Sequence, residues 1–561
     1  MCLYTLTGSK VVKLQEIIDN NSMLEVDKIT AATVKMAVCN MKPGKADVSG
    51  SYSSDLLLHS PDCVFEELAA VFRSFLVHGT VARHLLVCAF LPLLKSLKDP
   101  SKTESYRAIA GSSQILKVFD NVVLIVWGHL LGSDSLQFGF KPGCSTSQCS
   151  WLVTEVASYY RRNGTNVFTT LCDCSRAFDK CRFDILFEKL LARKMPAILV
   201  RTLMFIYIEQ VAYVKWGNVK SRMFSITNGT RQGAVVSPIY FSVYLDDLFK
   251  ELRALGVGCY MAGAWVGATG YADDIILMAP SRSAMATMLS VCENYALLHN
   301  ISFSTDEDPR KSKTKVIYMN GNMKTDKYPV PLQLNGRNLP YVTTATHLGH
   351  ELSQACDMEY DMKIKRTRYI DRTTDVRDTF HFAHPTQLLK AVDIYCGDNY
   401  GAMLWPLFED SAGKYFRCWN RCVKLCWALP ESTHTIFIEN LLGVGFTSLR
   451  VNVMSRYVKF FQGLLKHSSK EISLIANIVG RDMQSTTGKN MRGIETETGL
   501  NPWLASSFQV KSALTSQVSY DVKDAWKLSL LENYLIRRQE LEEKLQCTED
   551  ICDLINSLCS T

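Results

Sequence analysis

Two adjacent aspartates, Asp273 and Asp274, lie in the stretch GYADDIILMAP between apolar residues. The run 275–278 is typical of a short buried strand, and the small, Gly-rich segment before the pair predicts a hairpin turn at the aspartates. Neighbouring carboxylates repel each other and resist ionising together. The pair is therefore either a solvated turn, since Asp is a common turn residue, or a pair held by a cation.

A second pair of adjacent aspartates, Asp246 and Asp247, lies in SPIYFSVYLDDLFKEL. This stretch predicts a helix with Ser237 as its N-cap and Pro238 at its first position. Its apolar residues repeat every four positions, so a solvated face or a buried helix-end contact would explain the aspartates. We interpret the second pair as structural.

A third carboxylate offers the first pair a partner, because Asp173 ends the strand-like run NVFTTLCD. Metal-assisted phosphoryl transfer uses carboxylates from two strands to hold two divalent cations about 3.5–4 Å apart. Magnesium suits this chemistry because it binds few carboxylates and leaves positions open for phosphates and water. A cation site of this kind would make the adjacent aspartates tolerable and give them a function.

The composition is that of a folded protein with several subdomains: 561 residues, 47% hydrophobic, with a net charge of +7. This charge is compatible with a nucleic-acid partner without requiring one. The 19 cysteines are scattered and odd in number, which favours a reducing compartment. No secretory signal is visible. The apolar stretches NVVLIVWGHLLG and MPAILVRTLMFIYIEQVAYV are too short or interrupted by charges, so no membrane association is expected.

Strands and helices mix between about residues 167 and 318 without regular alternation, which favours an α+β fold. Beyond about residue 352 the pattern is helical. The stretch KIKRTRYIDR would place Lys365, Arg368 and Arg372 on one helix face, which is either solvated or follows a nucleic-acid backbone. A cysteine series with helical spacing predicts a buried stripe rather than a zinc site: Cys418, Cys422 and Cys426.

The motifs LCDCSRAFD, NGTRQGAVVSPIYFSVYLDDL and GYADDIILMAP, in this order, resemble the palm motifs of reverse transcriptases, particularly those of non-LTR retrotransposons of the LINE type. The segments LPLLKSLKDPSKTESYRAI, LQFGFKPGCST, KSKTKVIYM and THLGHEL are similar to flanking blocks of the same family. MLWPL and ALPESTHTIFIENLLG are similar to blocks of its helical part. The resemblance runs from about Ile29 to about Arg456, and the ordered set is much more specific than any one block.

The resemblance implies a role for each matching residue. Asp173, Asp273 and Asp274 would bind two Mg2+ ions, or Mn2+ in their place. The backbone carbonyl of Cys174 would be a further ligand. Tyr271 would lie under the primer end.

The family also implies contacts to the incoming nucleotide. Phe178 would pack beneath its sugar and exclude a 2′-hydroxyl, unless it is a plain core phenylalanine. Gln232 would contact the nucleotide, and Gly233 would allow the backbone to approach it closely. Lys95 and Arg107 would reach the triphosphate, where their charges offset charge that grows in the transition state; without the family they are surface charges.

Two further sets of basic residues have implied roles. Lys313 would protonate the leaving pyrophosphate, with Lys311 as the rival assignment and a solvated run as the plain alternative. THLGHEL would form the hairpin that grips the primer. The helix that carries Lys365, Arg368 and Arg372 would open a thumb that packs on the duplex backbone without reading bases.

The implied architecture is a right-hand polymerase fold in four parts. Residues 1–170 would form an N-terminal helical segment and the fingers, and residues 171–350 the antiparallel-sheet palm. Residues 351–456 would form a helical thumb, and residues 457–561 a helical region of unknown role. The implied function is RNA-directed DNA polymerase, with an RNA template, a DNA primer and dNTPs as partners, in the nucleus or cytoplasm, with the nucleus favoured by family analogy.

Several positions depart from the family pattern, including Ala108 where proline is usual, Cys144, Cys174 and Ala234. None of these departures removes an implied metal-binding carboxylate. The expected endonuclease segment is also missing, which predicts a truncated copy. Two alternatives follow: a catalytically inactive nucleic-acid-binding relic of such an element, and a group II intron-type maturase.

Overall fold

The computed structural model describes residues 24–95, 99–175, 177–231, 233–308, 311–321, 329–396, 399–432 and 448–518. Gln232, most of the block ALPESTHTIFIENLLG and the C-terminal stretch WKLSLLENYLIRRQELEEKLQ lie outside these residues.

The helices are α1 Ala31–Cys39, α2 Ser54–Leu58, α3 Asp62–His78, α4 Gln114–Trp127, α5 Thr146–Arg162, α6 Ala177–Lys180, α7 Phe183–Ala192, α8 Ala197–Ile208, α9 Ser237–Ala254, α10 Arg282–Leu298, α11 Glu359–Thr379, α12 Pro385–Cys396, α13 Asp410–Cys426, α14 Leu449–Leu465, α15 Lys470–Arg481, α16 Thr486–Thr498 and α17 Ser507–Val518. The strands are β1 Val87–Leu94, β2 Tyr106–Gly111, β3 Val167–Asp173, β4 Val211–Trp216, β5 Val219–Lys220, β6 Phe224–Ser225, β7 Tyr260–Met261, β8 Ala264–Trp265, β9 Ala268–Tyr271, β10 Asp274–Ala279, β11 Lys315–Met319, β12 Gln333–Leu334, β13 Arg337–Asn338, β14 Thr344–His347 and β15 His350–Ser353.

The first sheet has the strand order β2-β1-β4-β5, and β6 also pairs with β4. β1 pairs with β2 in antiparallel and with β4 in parallel orientation. The N-terminal helices pack on one another, with α1 against α3 and α4 and with α3 against α8. Three phenylalanine rings with centroids 5.3 to 5.8 Å apart join these helices: Phe72, Phe75 and Phe119.

Helix α4 begins earlier than the apolar run NVVLIVWGHLLG, because Leu116, Val118 and Phe119 also face the core. The stretch Gln114–Leu131 is long and apolar enough to cross a membrane by length and composition, contrary to the shorter estimate from the sequence, and 56% of it is buried inside the protein. Its one acidic residue, Asp120, is 1% exposed and forms an ion pair with Arg231. These are the properties of a core helix.

The second sheet is antiparallel, with the strand order β11-β3-β10-β9. Ile275 to Ala279 of β10 are all buried, because α10 packs against β10 while α5 packs against β3 and β9. The mixture of an antiparallel sheet with unevenly placed helices confirms the α+β class.

Helix α9 begins one residue earlier than the sequence indicates. Val236 is its N-cap and Ser237 its first residue. The Ser237 hydroxyl donates to the Arg231 carbonyl at 2.5 Å instead of capping the helix, so it fixes the preceding loop. Pro238 lies in the first turn, where it is tolerated because that N–H has no intrahelical partner.

The described residues beyond β15 are mainly helical, as predicted. Helices α11, α12 and α13 pack on one another, and α14 packs against α15 and α17. Helix α16, which packs against α15 and α17, is attached to α5 by a buried polar contact, in which the Thr487 N–H and hydroxyl both donate to Glu155 Oε1. The predicted boundaries at 170/171, 350/351 and 456/457 all lie inside regular elements, namely β3, β15 and α14.

Candidate active site

Three aspartates meet at one end of the second sheet. Asp173 is the last residue of β3 and Asp274 the first of β10, and the two lie directly opposite each other in the antiparallel register. Asp274 also faces Tyr271 across the β9–β10 hairpin, so Asp273 lies in the turn between them. Strand pairing thus brings together carboxylates that are far apart in the sequence.

The electrostatics of this cluster disfavour bare negative charges. Partial burial, and then the like charges of Asp273 and Asp173, raise the pKa of Asp274 to about 6. Burial and the charge of Asp173 also raise the pKa of Asp273, while the Arg107 guanidinium acts on it in the lowering direction. A divalent cation would offset both the repulsion and the cost of ionisation.

The donor atoms of this cluster are carboxylate oxygens, which are the ligands that Mg2+ prefers. Across the part of the chain that the structure describes, no group of three His, Cys, Asp or Glu side chains is close enough to hold a metal ion alone. Mg2+ in nucleotide-handling sites is held by one or two carboxylates together with substrate phosphates and water. A site with few protein ligands therefore fits Mg2+ binding in which substrate phosphates and water supply the remaining ligands.

Residues 173–175 pair with residues 302–304 through two backbone hydrogen bonds that do not use the Cys174 carbonyl. The Ser304 N–H donates to the Asp173 carbonyl and the Ser175 N–H donates to the Ser302 carbonyl, both at 2.8 Å. Neither bond uses the carbonyl of Cys174, which lies between them in the chain. Burial raises the pKa of the Cys174 thiol well above its usual range. The side chain is therefore a neutral thiol, and the carbonyl is the donor atom that the implied role requires.

The turn that carries Asp273 is held by a side chain from outside the hairpin. Ala272, the first central residue of the turn, has a φ of 61°, a left-handed conformation that costs a non-glycine residue about 1–2 kcal/mol. The Ala272 N–H donates to Gln137 Oε1 at 2.9 Å, and Gln137 Nε2 donates to the Ala272 carbonyl at 3.1 Å. Gln137, which is 1% exposed, therefore satisfies both polar backbone groups of the strained residue.

Two glycines make room for this contact. A Cβ at Gly139 would lie 2.3 Å from the Ala272 nitrogen, and a Cβ at Gly270 would lie 3.0 Å from Gln137 Nε2. The Gly139 N–H also donates to Gln137 Oε1 at 2.9 Å. Gln137 lies in the block LQFGFKPGCST, and the sequence alone does not predict its role. The available signal was a single amide side chain between two apolar residues in that block.

Lys313 is the basic side chain in contact with the aspartate cluster. Its Nζ lies 3.7 Å from Asp173 Oδ2. Its position is set by its two neighbours, since the buried Ser312 hydroxyl donates to the Thr314 carbonyl and Thr314 Oγ1 accepts from the Asp173 N–H. The rival residue, Lys311, is exposed, and its backbone N–H donates to the Asp308 carbonyl at 2.9 Å. The geometry favours Lys313.

The predicted triphosphate contacts lie on the first sheet. Arg107 is exposed on β2, where it pairs with Leu93. Its effect on Asp273 places its charge within electrostatic range of the aspartate cluster. Lys95 is exposed directly after β1, and its N–H donates to the Ser105 carbonyl at 2.8 Å.

The loop that precedes α9 is fixed by a buried ion pair. Arg231 Nη2 lies 2.6 Å from Asp120 Oδ1, and the Val235 N–H donates to Asp120 Oδ2 at 3.0 Å. Gly233 has a φ of 80°, and a Cβ there would lie 2.2 Å from the Ala110 carbonyl oxygen. Only glycine fits this close approach to β2. Gln232, between these residues, lies outside the described residues.

Phe178 is half-buried, and it follows Asp173 by five residues in the sequence. Its ring stacks on Phe241 with centroids 4.2 Å apart and meets Phe140 edge-on at 6.3 Å. Its carbonyl accepts from the Thr230 N–H at 2.7 Å. One side of the ring therefore packs as a core residue, and its contact with a nucleotide sugar stays a prediction.

The second aspartate pair, on α9, is neutralised by the protein itself. Asp246 is 3% exposed, and its Oδ2 lies 2.6 Å from Arg193 and 2.7 Å from Lys250. Asp247 forms ion pairs with Lys189 and Lys250. The Asp134 N–H also donates to Asp246 Oδ1. This geometry is that of the structural pair which the sequence analysis predicted.

The basic residues of α11 lie beside the β14–β15 hairpin. Lys365, Arg368 and Arg372 line one cavity of about 280 Å³ beside the β14–β15 turn, so they share one helix face. Lys365 Nζ donates to the Gly349 carbonyl at 2.9 Å and lies over the ring of Tyr400 at 5.1 Å. Lys365 thus helps to fix the β14–β15 hairpin, which the resemblance to reverse transcriptases predicts will grip the primer.

The cysteine series of α13 is buried. Burial raises the pKa of the Cys422 and Cys426 thiols to about 12 and that of Cys418 further. These three side chains are therefore neutral thiols that pack in the core of the helical part.

Residues 97–351 match the family described as reverse transcriptase (RNA-dependent DNA polymerase). This segment includes the aspartate cluster, Lys313, Arg107 and the loop that precedes α9. It is a reverse transcriptase domain, which confirms the right-hand polymerase fold expected from the motifs. Enzymes of this family generally use divalent metal ions and act on nucleic acids.

The similar proteins come from non-LTR retrotransposons. The chain is 22% identical over 289 residues to a Retrovirus-related Pol polyprotein from type-1 retrotransposable element R2 of Nasonia vitripennis. The matched region covers 51% of this chain and 27% of that protein. The chain is 22% identical over 307 residues to an RNA-directed DNA polymerase from mobile element jockey of Drosophila funebris. This match covers 52% of this chain and 33% of that protein. The resemblance to reverse transcriptases of the LINE type is confirmed, and the chain spans about a third or less of the length of these relatives.

A telomerase from Candida albicans, solved in complex with a fragment of telomeric RNA, is similar over 74% of this chain and 68% of that chain. The sequence identity is 11% and the TM-score is 0.33. A similarity of this size carries no functional argument.

Proposed function

We propose that this chain is an RNA-directed DNA polymerase that extends a primer 3′-hydroxyl with dNTPs on an RNA template. The observation that carries the proposal is the pairing of Asp173 with Asp274 at the open end of the second sheet, beside the turn of Asp273, within a reverse transcriptase domain. No protein cation within the described residues neutralises Asp273 or Asp274 by a direct ion pair.

The three aspartates and the Cys174 carbonyl would hold two divalent cations, Mg2+ or Mn2+. When bound, these ions would lower the pKa of the primer 3′-hydroxyl and offset the charge on the triphosphate. The aspartates must be ionised for this task, so the raised pKa of Asp274, about 6, predicts that activity falls as the pH falls toward this value. Tyr271, at the end of β9, would support the primer end.

The remaining residues would bind and orient the nucleotide. Arg107 and Lys95 would contact the triphosphate from the first sheet, and Lys313 would donate a proton to the leaving pyrophosphate. Gly233 would let the loop backbone approach the nucleotide, and Phe178 would pack beneath its sugar. Template sequence would be read by base pairing, so the protein contacts to the duplex would be to its backbone.

The product duplex would lie against the helical part of the chain. The side chains that line the α11 cavity, Lys365, Arg368 and Arg372, would contact phosphates of the duplex. These contacts carry no base information, and each would add to the salt dependence of binding.

The test is primer extension on RNA and DNA templates with the purified chain, beside Asp173→Asn. We expect extension on RNA with Mg2+ and dNTPs, and a loss of at least about 100-fold in the variant. Duplex binding without extension by the wild-type chain would contradict the proposal and indicate an inactive nucleic-acid-binding relic. Activity retained in Asp173→Asn would show that the aspartate cluster is not the active site.

A further inference from the structure

Residues 133–144, named the Gln137 segment below, connect the end of the first helical part to α5. The Phe138 N–H donates to the Gly270 carbonyl at 2.7 Å, so the segment pairs with β9. This pairing places Gln137 against Ala272 in the turn between β9 and β10. The geometry of the turn therefore depends on the contacts that hold this segment.

The turn relies on Gln137 more than an ordinary turn would. Ala272 has a φ of 61°, and both of its polar backbone groups are bonded to the Gln137 amide. A shift of the Gln137 segment would lengthen both bonds at once. Groups that bind a metal or a substrate are held to within about 0.5 Å in a productive site, so even a small shift would affect the neighbouring Asp273.

The loop between α14 and α15 contacts the Gln137 segment through His467. The ring of His467 lies beside that of Phe138, with centroids 6.0 Å apart, and Phe138 is fully buried. His467 Nε2 lies 3.3 Å from Cys144 Sγ. His467 is outside the stretch 97–351 that matches the reverse transcriptase family. A residue of the helical region of unknown role therefore touches the residue next to Gln137.

The hydrogen bonds of His467 define which ring nitrogen carries the proton. The Ser469 N–H donates to His467 Nδ1 at 3.0 Å, so the proton of the neutral ring is on Nε2. Burial, and then the charge of Lys141, lower the pKa of His467, which favours this neutral ring. Burial raises the pKa of the Cys144 thiol, so its sulfur is uncharged. His467 Nε2–H therefore donates to Cys144 Sγ.

A second contact joins α15 to the Gln137 segment. Arg253 of α9 donates to both carboxylate oxygens of Asp134, at 3.0 and 3.1 Å. Its Nη1 lies 4.0 Å from Glu471 Oε1, in the first turn of α15. The Asp134 carbonyl accepts from the Gln137 N–H at 3.0 Å. The helical region thus reaches both ends of the Gln137 segment.

We propose that His467 is a positioning residue, which holds the Gln137 segment in place and through Gln137 fixes the turn that carries Asp273. It acts through other residues and not on the substrate. The contact also gives a reason for one departure from the family pattern, because a side chain longer than that of Cys144 would occupy the position of the imidazole ring. This inference rests on the proposed function, since it concerns the geometry in which Asp273 meets a divalent cation.

The test is hydrogen exchange of the Ala272 amide, measured by mass spectrometry on the metal-free chain. This amide exchanges only when its bond to Gln137 opens. His467→Ala should speed the exchange about fivefold, the effect of one lost hydrogen bond. His467→Gln, whose amide can donate from the position of Nε2, should exchange at the wild-type rate. His467→Asn, whose amide matches only Nδ1, should behave like His467→Ala.

Two matched controls separate positioning from general support. Lys466→Ala removes an exposed neighbour of His467 and should leave the exchange of Ala272 unchanged. Thr487→Val removes a hydroxyl that bonds Glu155 and Trp151 and so attaches the same helical region to α5. It should lower the free energy of unfolding and leave the exchange of Ala272 at the wild-type rate under native conditions.

The same contact is tested from its other side and in the reaction. Cys144→Ala should speed the exchange of Ala272 as His467→Ala does, and the double variant should add little, because the two residues form one contact. In single-turnover extension, both single variants should raise the Mg2+ concentration needed for the half-maximal rate. Their affinity for the primer–template duplex should equal that of the wild-type chain.

The outcomes separate this inference from the proposed function. Unchanged exchange of Ala272 in Cys144→Ala and in folded His467→Ala would overturn the positioning role, and so would an equal acceleration in Thr487→Val. A wild-type chain that extends no primer would refute the proposed activity. Faster exchange in His467→Ala and not in Thr487→Val would still support the positioning role in that case.

Discussion

The two aspartate pairs of this chain have the same sequence and opposite surroundings. Asp246 and Asp247 are each bonded to two cationic side chains supplied by the protein. Asp273 and Asp274 are instead next to a third carboxylate, Asp173, and the pKa of Asp274 is raised to about 6. The ion pairs of Asp246 and Asp247 stabilise the fold. The carboxylates of Asp273 and Asp274 can instead bind a cationic ligand.

The difference lies in what the flanking elements contribute. Helix α9 sits beside α7, which carries Lys189 and is followed by Arg193, so its aspartates meet cations from a neighbouring helix. The β9–β10 turn sits at the end of a sheet, where its neighbours in the register are Asp173 and Tyr271. Within the described residues, Asp273 and Asp274 form no direct ion pair with a protein cation. A pair of like charges of this kind is the arrangement expected of a functional site.

The largest expected difference between the pairs is in stability. Asp246→Asn should lower the free energy of unfolding by about 3–5 kcal/mol, because it leaves Arg193 without its buried partner. Asp274→Asn should raise it by roughly 1 kcal/mol in the absence of metal, because it removes repulsion at a partly solvated site. Urea unfolding in the presence of EDTA measures both. Destabilisation by Asp274→Asn would contradict the expected difference between the two aspartate pairs.

Lys313 should affect catalysis and not stability. Lys313→Ala should lower the rate of nucleotide addition by about 100-fold, since general acid catalysis is worth at least this much, and should leave the unfolding midpoint unchanged because the side chain is 70% exposed. Lys311→Ala is the matched control and should change the rate by less than about twofold. Single-turnover extension with saturating dNTP makes the measurement. A larger loss in Lys311→Ala would transfer the role to that residue.

Gln137 offers a further test of the difference between the two aspartate pairs, because it positions the turn that carries Asp273 and does not contact Asp246 or Asp247. Gln137→Ala should lower the extension rate by about tenfold, because it leaves the N–H and the carbonyl of Ala272 without their partner. It should also raise the Mg2+ concentration needed for the half-maximal rate. Affinity for the duplex should be unchanged. Adding Ala272→Gly should recover part of the loss, because glycine adopts a positive φ without strain. A fall in duplex affinity with no change in the Mg2+ dependence would indicate a general structural role.

The smallest effect is a pH dependence of stability. The pKa of Asp274 rises from 3.8 to about 6 in the folded chain, so the folded state binds this proton more tightly than the unfolded state. Stability without metal should therefore decrease as the pH rises from about 4 to 6. Thermal melts of the wild-type chain and Asp274→Asn measure this difference, which is about 1 kcal/mol after allowance for solvent. Parallel pH curves for the two proteins would contradict it.

The sequence predicted the parts of the site that depend on short patterns. The apolar run after Asp274 indicated a buried strand, and the pattern beyond about residue 352 indicated the helical part of the chain. The interpretation of Asp246 and Asp247 as structural agrees with their ion pairs, although the sequence could not name Arg193 as a partner because that contact joins two helices.

Contacts between distant segments could not be predicted. Gln137 reaches Ala272 only because residues 136–138 pair with β9, and nothing local indicates this pairing. Ser237 was assigned as a helix cap because its residue type suits that position, but it bonds to the Arg231 carbonyl instead. The start of α4 was missed because Asp120 interrupts its apolar pattern, and this residue is neutralised only in the fold.

The most direct test of the proposed active site compares the same substitution in the two aspartate pairs. Single-turnover extension of a DNA primer on an RNA template, with Mg2+ and dNTPs, is measured for the wild-type chain, Asp273→Asn and Asp247→Asn. We expect a loss of at least about 100-fold for Asp273→Asn and of less than about threefold for Asp247→Asn, whose ion pairs are partly exposed. Equal losses in the two variants, or undiminished extension by Asp273→Asn, would contradict it.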